Sequence, residues 1–167
     1  CGAFTSQKRR CPFSMVTSRR YLDTRADEFD AMPTRGWEGR LRLAARAIDE
    51  RLKADPMQSV VHGDPKDANF YFAADGTPQL YDFQYCGKAC PAKDVAYCLC
   101  CGSSAWDDAD ALARGYHRDL SAALSSRGEE APPVDAFLET LELAYADLGR
   151  WMSGWGWWGN DLEPRIT

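Results

Sequence analysis

The chain has no uncharged run long enough to cross a bilayer: the longest, Val95 to Trp106, is 12 residues, against the roughly 20 a membrane helix needs. It has no basic excess either. With 20 Lys+Arg against 25 Asp+Glu the net charge is −5, which argues against a protein that neutralises nucleic-acid phosphates in bulk. No signal-peptide pattern is visible and the seven cysteines are an odd number, so free thiols in a reducing, cytoplasmic setting are expected rather than a disulfide framework. Cys86, Cys90, Cys98, Cys100 and Cys101 lie near one another, but their spacings do not repeat the CxxC pairs of a zinc module. Packing as small buried groups is their expected role. Internal repeats and low-complexity tracts are also missing.

What is present suffices for one folded domain: 45% of the 167 residues are hydrophobic and 27% charged. Residues 1–32 read as a basic N-terminal segment, with Lys8, Arg9, Arg10, Arg19, Arg20 and Arg25. It is either a solvated arm or the remnant of a longer chain or transit sequence, since position 1 is Cys1 and not Met. Residues 33–167 carry the domain proper. Leu41, Ala44, Ala45, Ile48 and Leu52 recur at three- and four-residue spacing and predict a helix from Trp37 to Leu52. Val60-Val61, Phe70-Tyr71-Phe72 and Gln79-Leu80-Tyr81 are short strand-like runs, the last two joined through Ala-Ala-Asp-Gly-Thr-Pro as a hairpin. A helical pattern returns from Asp94. Ser104 with Asp107 makes a capping-box start for a helix to about Ser126. Pro133, at a first-turn position, opens another that buries Val134, Phe137, Leu138, Leu141, Ala144, Tyr145, Leu148 and Trp151. The fold class is therefore α+β, mostly helical, with one small hairpin carrying the polar motifs.

Those motifs lie between Val60 and Tyr97: an acid, an amide five residues on, and a second acid at the end of the next strand, namely Asp64, Asn69 and Asp82. Phosphoryl transfer asks little covalent chemistry of a protein, but it needs magnesium held against the phosphates and a hydroxyl aimed in line. Mg²⁺ prefers carboxylate and carbonyl oxygens with some retained water, so Asp82 and the Asn69 amide oxygen are apt ligands. Asp64 is then the candidate base for an acceptor hydroxyl. Asn69 enters the first hairpin strand and Asp82 leaves the second, so the turn can bring the two together at one end.

The segment HGDPKDANFYF, followed by the hairpin, DFQ and KDVAY, resembles the C-terminal lobe of the aminoglycoside phosphotransferase and choline kinase-like superfamily, relatives of the protein kinases. It is most similar to the ecdysteroid-kinase-like branch. The resemblance implies a kinase-like lobe with a catalytic loop at 60–72, a metal-binding segment at 79–94 and C-terminal helices over 104–167. It implies an ATP-dependent transfer to a small-molecule hydroxyl acceptor, with no nucleic-acid or membrane partner. Asp64 matches the catalytic aspartate, Asn69 and Asp82 the positions that bind Mg²⁺ and so the ATP phosphates, and Asp94 an aspartate that ties down the catalytic loop. His62 braces that loop. Lys66, two residues after Asp64, reaches the transferring phosphate or is a solvated loop lysine.

Two departures narrow the acceptor. Gly63 stands where protein kinases carry an arginine that receives an activation-loop phosphate, and only 12 steps separate Asp82 from Asp94, too few for a peptide-binding segment. A third bears on turnover: no glycine-rich loop, strand lysine or helix glutamate precedes Val60, which leaves a catalytically weak binding module as the alternative reading. Trp151, Trp155, Trp157 and Trp158 crowd the C-terminal end. They either wall an acceptor pocket, where aromatic faces attract cationic amines, or latch onto the lobe.

Overall fold

A computed structural model describes residues 21–101 and 108–156. In chain order the elements are α1 (Ala26–Ala31), α2 (Gly36–Ala54), β1 (Ser59–Val61), β2 (Phe70–Phe72), β3 (Pro78–Leu80), β4 (Gly87–Ala89), α3 (Ala92–Cys101), α4 (Ala109–Ser125) and α5 (Val134–Trp155). Short 3-10 turns at Leu22–Thr24, Asp67–Asn69 and Phe83–Tyr85 link them.

Helix α5 is the spine, and α1, α2 and α3 pack along it. Its inward face follows the predicted period: Phe137, Leu141, Ala144, Tyr145 and Leu148 are buried, while Val134, Leu138 and Trp151 are half-buried. Phe137, Leu141, Ala144 and Tyr145 meet Ile48 and Leu52 of α2, Val95, Ala96 and Leu99 of α3, and Ala113 of α4 in one core, while Leu148 packs with Tyr97, Met152 and Trp151 in a second. Pro133 is the residue before the first turn and not within it, so its fixed φ sets the entry of the chain into α5. In α2, Glu38 lies in the first turn and Arg51 and Lys53 in the last, charges that complement the helix dipole. Ala44, expected on the buried face, is exposed; the apolar stripe is narrower than the sequence spacing suggested. Helix α4 begins at Ala109, and the Ser104–Asp107 cap lies outside the described residues.

The described part of the basic N-terminal segment is docked on this body. Tyr21, Leu22 and Met32 are buried, the Leu22 amide donates to Asp49 Oδ1 at 3.0 Å, and α1 packs on α5. The approach is close: a Cβ at position 154 would lie 1.8 Å from the Glu28 carbonyl oxygen. Only glycine admits α1 at that depth.

Two antiparallel ribbons sit on the helical body. β2 pairs with β3 in the register Phe70↔Leu80, Tyr71↔Gln79 and Phe72↔Pro78, the predicted hairpin. β1 pairs with β4, Ser59↔Ala89 through Val61↔Gly87. The second ribbon returns the chain to β1 right after the Phe83–Tyr85 turn, so the whole stretch from Val61 to Gly87 is a loop closed at its base.

Candidate active site

The closed base of that loop places the polar motif. From Val61 the chain runs into His62, Gly63 and Asp64, all buried. Asp94, in the first turn of α3, holds this turn from below: its Oδ2 accepts from the His62 amide at 2.6 Å and its Oδ1 from the Gly63 amide at 3.1 Å. Charge-assisted bonds to two successive amides fix a backbone better than neutral ones. Gly63 has φ +87°, and a Cβ there would lie 2.3 Å from the Tyr85 carbonyl oxygen. Sterics thus reserve this position for glycine, which explains why no arginine stands before Asp64.

His62 ties the loop to the far end of the hairpin. Its Nδ1 accepts from the Asp64 amide at 3.2 Å and its Nε2 faces the Tyr81 carbonyl at 2.9 Å. Because a carbonyl can only accept, Nε2 carries the proton. The ring also packs on Phe83, with centroids 4.6 Å apart. Tyr81 in turn pairs back to Asn69, its amide donating to the Asn69 carbonyl at 3.2 Å. The hairpin ladder therefore continues one step past β2 and β3 and leaves Asp82 just beyond it.

Asp64, Lys66 and Asn69 converge. Asn69 Nδ2 donates to the Asp64 carbonyl at 2.8 Å and to Asp64 Oδ2 at 3.0 Å, and Lys66 Nζ stands 3.0 Å from the same Oδ2. Since a carboxylate is an acceptor, the amide nitrogen of Asn69 must face it, which turns the amide oxygen away. No described residue bonds Asp64 Oδ1 or donates to the Asn69 oxygen. The hydrogen bond to Asp64 raises the Lys66 pKa; burial opposes this, and the charges of Asp64, Asp82 and Tyr85 add to the rise. Lys66 is therefore an ammonium throughout the neutral range.

Asp82 stands apart from that trio. It is exposed, its Oδ2 accepts from Gln84 Nε2 at 3.2 Å, and it reaches the others only through the field it exerts on Lys66. Its backbone is left-handed, φ 63° and ψ 59°, a conformation that Asp tolerates better than most residues. It is the one described non-glycine residue with positive φ. The strain turns the chain sharply from β3 into the Phe83–Tyr85 turn, aiming the Asp82 side chain outward.

Beside Asp64 opens a cleft of about 290 Å³, lined by Asp64, Lys66, Tyr85, Tyr97, Cys101, Trp151, Met152 and Trp155. Sequence reasoning flagged only Asp64, Lys66 and the tryptophans of this wall. Tyr85 and Tyr97 had no signal beyond nearness to the motif, and Met152 was lost in the apolar period of α5. Hollows of about 280 and 550 Å³ elsewhere touch none of the predicted residues except Asp94. Among the described residues no three His, Cys, Asp or Glu side chains could hold a metal by themselves. The oxygens of Asn69 and Asp82 are of the type that Mg²⁺ prefers, but Asn69 is bonded to Asp64 and Asp82 to Gln84, and no contact joins the two. No helix of the described residues is long and apolar enough to cross a membrane.

The model of the phosphotransferase enzyme family matches residues 6–148, and the chain belongs to that family. The mostly helical α+β architecture is the kinase-like fold that membership implies. No curated protein and no solved structure matches the chain significantly.

Proposed function

We propose that this lobe transfers the terminal phosphate of ATP to the hydroxyl of a small molecule, with Asp64 as the base. Within the family, HGDPKDANFYF with DFQ and KDVAY supports the ecdysteroid-kinase-like branch, and the odd cysteine count supports a cytoplasmic setting. The observation that carries the reading is the asymmetry of the Asp64 carboxylate. Asn69 and Lys66 both engage Oδ2, which leaves Oδ1 to accept a hydroxyl hydrogen from a molecule in the adjoining cleft.

In this reading Asn69 and the Asp94-clamped loop hold the carboxylate still, so the acceptor oxygen is oriented before it loses its proton to Oδ1. Lys66, half-exposed and within reach of Asp64, offers its ammonium to the phosphoryl oxygens as negative charge builds on them. Asn69 Oδ1 and the Asp82 carboxylate would hold Mg²⁺, which when bound neutralises nucleotide phosphate charge. The small acceptor follows from Gly63 and the short path from Asp82 to Asp94.

A library of hydroxyl compounds screened with Mg-ATP tests this. Transfer to at least one compound is expected, and Asp64→Ala and Asp82→Ala should each lower turnover by on the order of 10² or more. Wild-type turnover in both variants would end these assignments. Acceptor binding without any transfer would mark a binding module instead.

A further inference from the structure

We infer that Arg25 is a positioning residue for the turn that carries Asp82: its guanidinium bridges the rings of Tyr85 and Trp155 and so fixes that turn against the end of α5. The inference rests on the phosphotransferase reading and adds a residue to its machinery. Among the described residues no hydrogen bond or ion pair joins Asp82 to Asn69 or Asp64. Its place relative to them is therefore set by what holds the chain on either side. On the N-terminal side Tyr81 is fixed by the Asn69 carbonyl and by His62. On the C-terminal side stands the Phe83–Tyr85 turn, which has little grip of its own: Phe83 reaches the His62 ring, yet Phe83 and Gln84 are exposed. Tyr85 is the half-buried member. Its carbonyl abuts Gly63 of the catalytic loop, and its ring centroid lies 5.5 Å from the Arg25 guanidinium.

Arg25 is itself anchored. Its side chain is 15% exposed and that of Glu28 16%, and Nη1 donates to Glu28 Oε1 at 2.8 Å. The Glu28 carbonyl is the group against which Gly154 fits, so the pair rides on the part of α1 seated closest to α5. On the other flank Tyr21 and Leu22 are buried, and the Leu22 amide is bonded to Asp49. The guanidinium also lies 5.2 Å from the Trp155 centroid, and Trp155 packs on Trp151 at 5.1 Å. Tyr85 and Trp155 both line the cleft beside Asp64, so the same bridge spaces two of its walls. It acts by contact and not by field. Glu28 neutralises Arg25, Lys66 lies against Asp64, and the charges that act on Lys66 are those of Asp64, Asp82 and Tyr85. A flat guanidinium can lie along a ring face where a lysine ammonium is a point charge, so lysine should replace Arg25 only in part.

Hydrogen exchange of the full chain, read by mass spectrometry, tests the link. Arg25→Met keeps the length and loses the cation. It should speed exchange of amides 83–87 by about tenfold, the scale of two lost cation–π contacts, and leave the α2 amides at wild-type rates. Arg25→Lys should fall between. Tyr85→Leu removes the ring from the other side and should give the same local rise, and adding Arg25→Met to it should change little, because both variants remove one contact. The functional readout is affinity for Mn-ATP, with Mn²⁺ standing in for Mg²⁺ and free Mn²⁺ followed by EPR. Arg25→Met should weaken it on the order of tenfold, as loss of an outer support does at metal sites, and Arg25→Lys should restore part of it. The inference is overturned if amides 83–87 exchange in Arg25→Met as they do in wild type, if α2 loosens equally, if the two substitutions add in full, or if Mn-ATP affinity stays unchanged. A wild type that binds no Mn-ATP would overturn the phosphotransferase reading and the positioning role with it, whereas unchanged exchange in a wild type that binds Mn-ATP overturns the inference alone.

Discussion

Asp64 and Asp147 are both buried carboxylates facing a lysine, and they do opposite things. Asp147 has both oxygens taken: Lys93 binds Oδ2, and Arg150 donates to Oδ1 through Nε at 2.9 Å and Nη2 at 2.7 Å. Its lysine is 2% exposed, whereas Lys66 is 43% exposed. Asp64 has one oxygen engaged and a cleft beside the other. A saturated carboxylate sealed in the core can only brace; one left half-satisfied at an opening can still bind something. The two regions meet in the sequence at Lys93 and Asp94, neighbours on α3 that point in different directions. Lys93 pins α3 to α5, and Asp94 clamps the loop that presents Asp64.

The sharpest way to break this contrast is Asp147→Asn. It removes the carboxylate shared by two buried cations and should cost about 3–5 kcal/mol of stability, read from a urea midpoint. Burial pushes the Asp147 carboxyl up, but Lys93 and Arg150 outweigh it and the net shift is down. With the folded value below the unfolded one of about 3.9, its contribution is present above that pH and is lost as pH falls through the folded value. Wild type should therefore show an acid limb below about pH 4 that is shallower in Asp147→Asn. An unchanged midpoint would erase the distinction between brace and tool.

Asp94→Asn should act on both regions at smaller size. One charge-assisted clamp weakens, costing about 1.5–3 kcal/mol, and turnover should fall as the loop loosens, with acceptor binding in the cleft retained. Binding and turnover falling together would mean that the clamp shapes the cleft as well. The mildest test uses thiols. Burial pushes the Cys90 thiol up to about 12, while Cys86 is exposed. Peptide mapping after iodoacetamide treatment at pH 8 should find Cys86 modified well before Cys90. The reverse order would show that the core around Cys90 opens readily.

Local chemistry was legible in the sequence where it repeats with a period or carries its own turn. The α2 and α5 faces and the Phe70–Leu80 hairpin rest on spacings of a few residues, whereas Asn69, expected beside Asp82 at the hairpin end, is bonded to Asp64 instead. β4 was not legible, because Gly-Lys-Ala has no strand preference and becomes a strand only by pairing with β1. Helix α1 is too short to show a period. The Lys93–Asp147 pair spans 54 residues, and no local rule joins residues that far apart. Arg25 looked like one more charge in a basic stretch, and its place against Trp155 depends on a single missing Cβ at Gly154.

Position 63 has a consequence for control. In a catalytic loop that carries arginine there, a distant phosphate can grip the side chain and tune the neighbouring aspartate. Here any side chain would collide with Tyr85, so no substitution can graft such a handle onto this protein without rebuilding the turn. Its loop is held instead by Asp94, through contacts made within the fold itself.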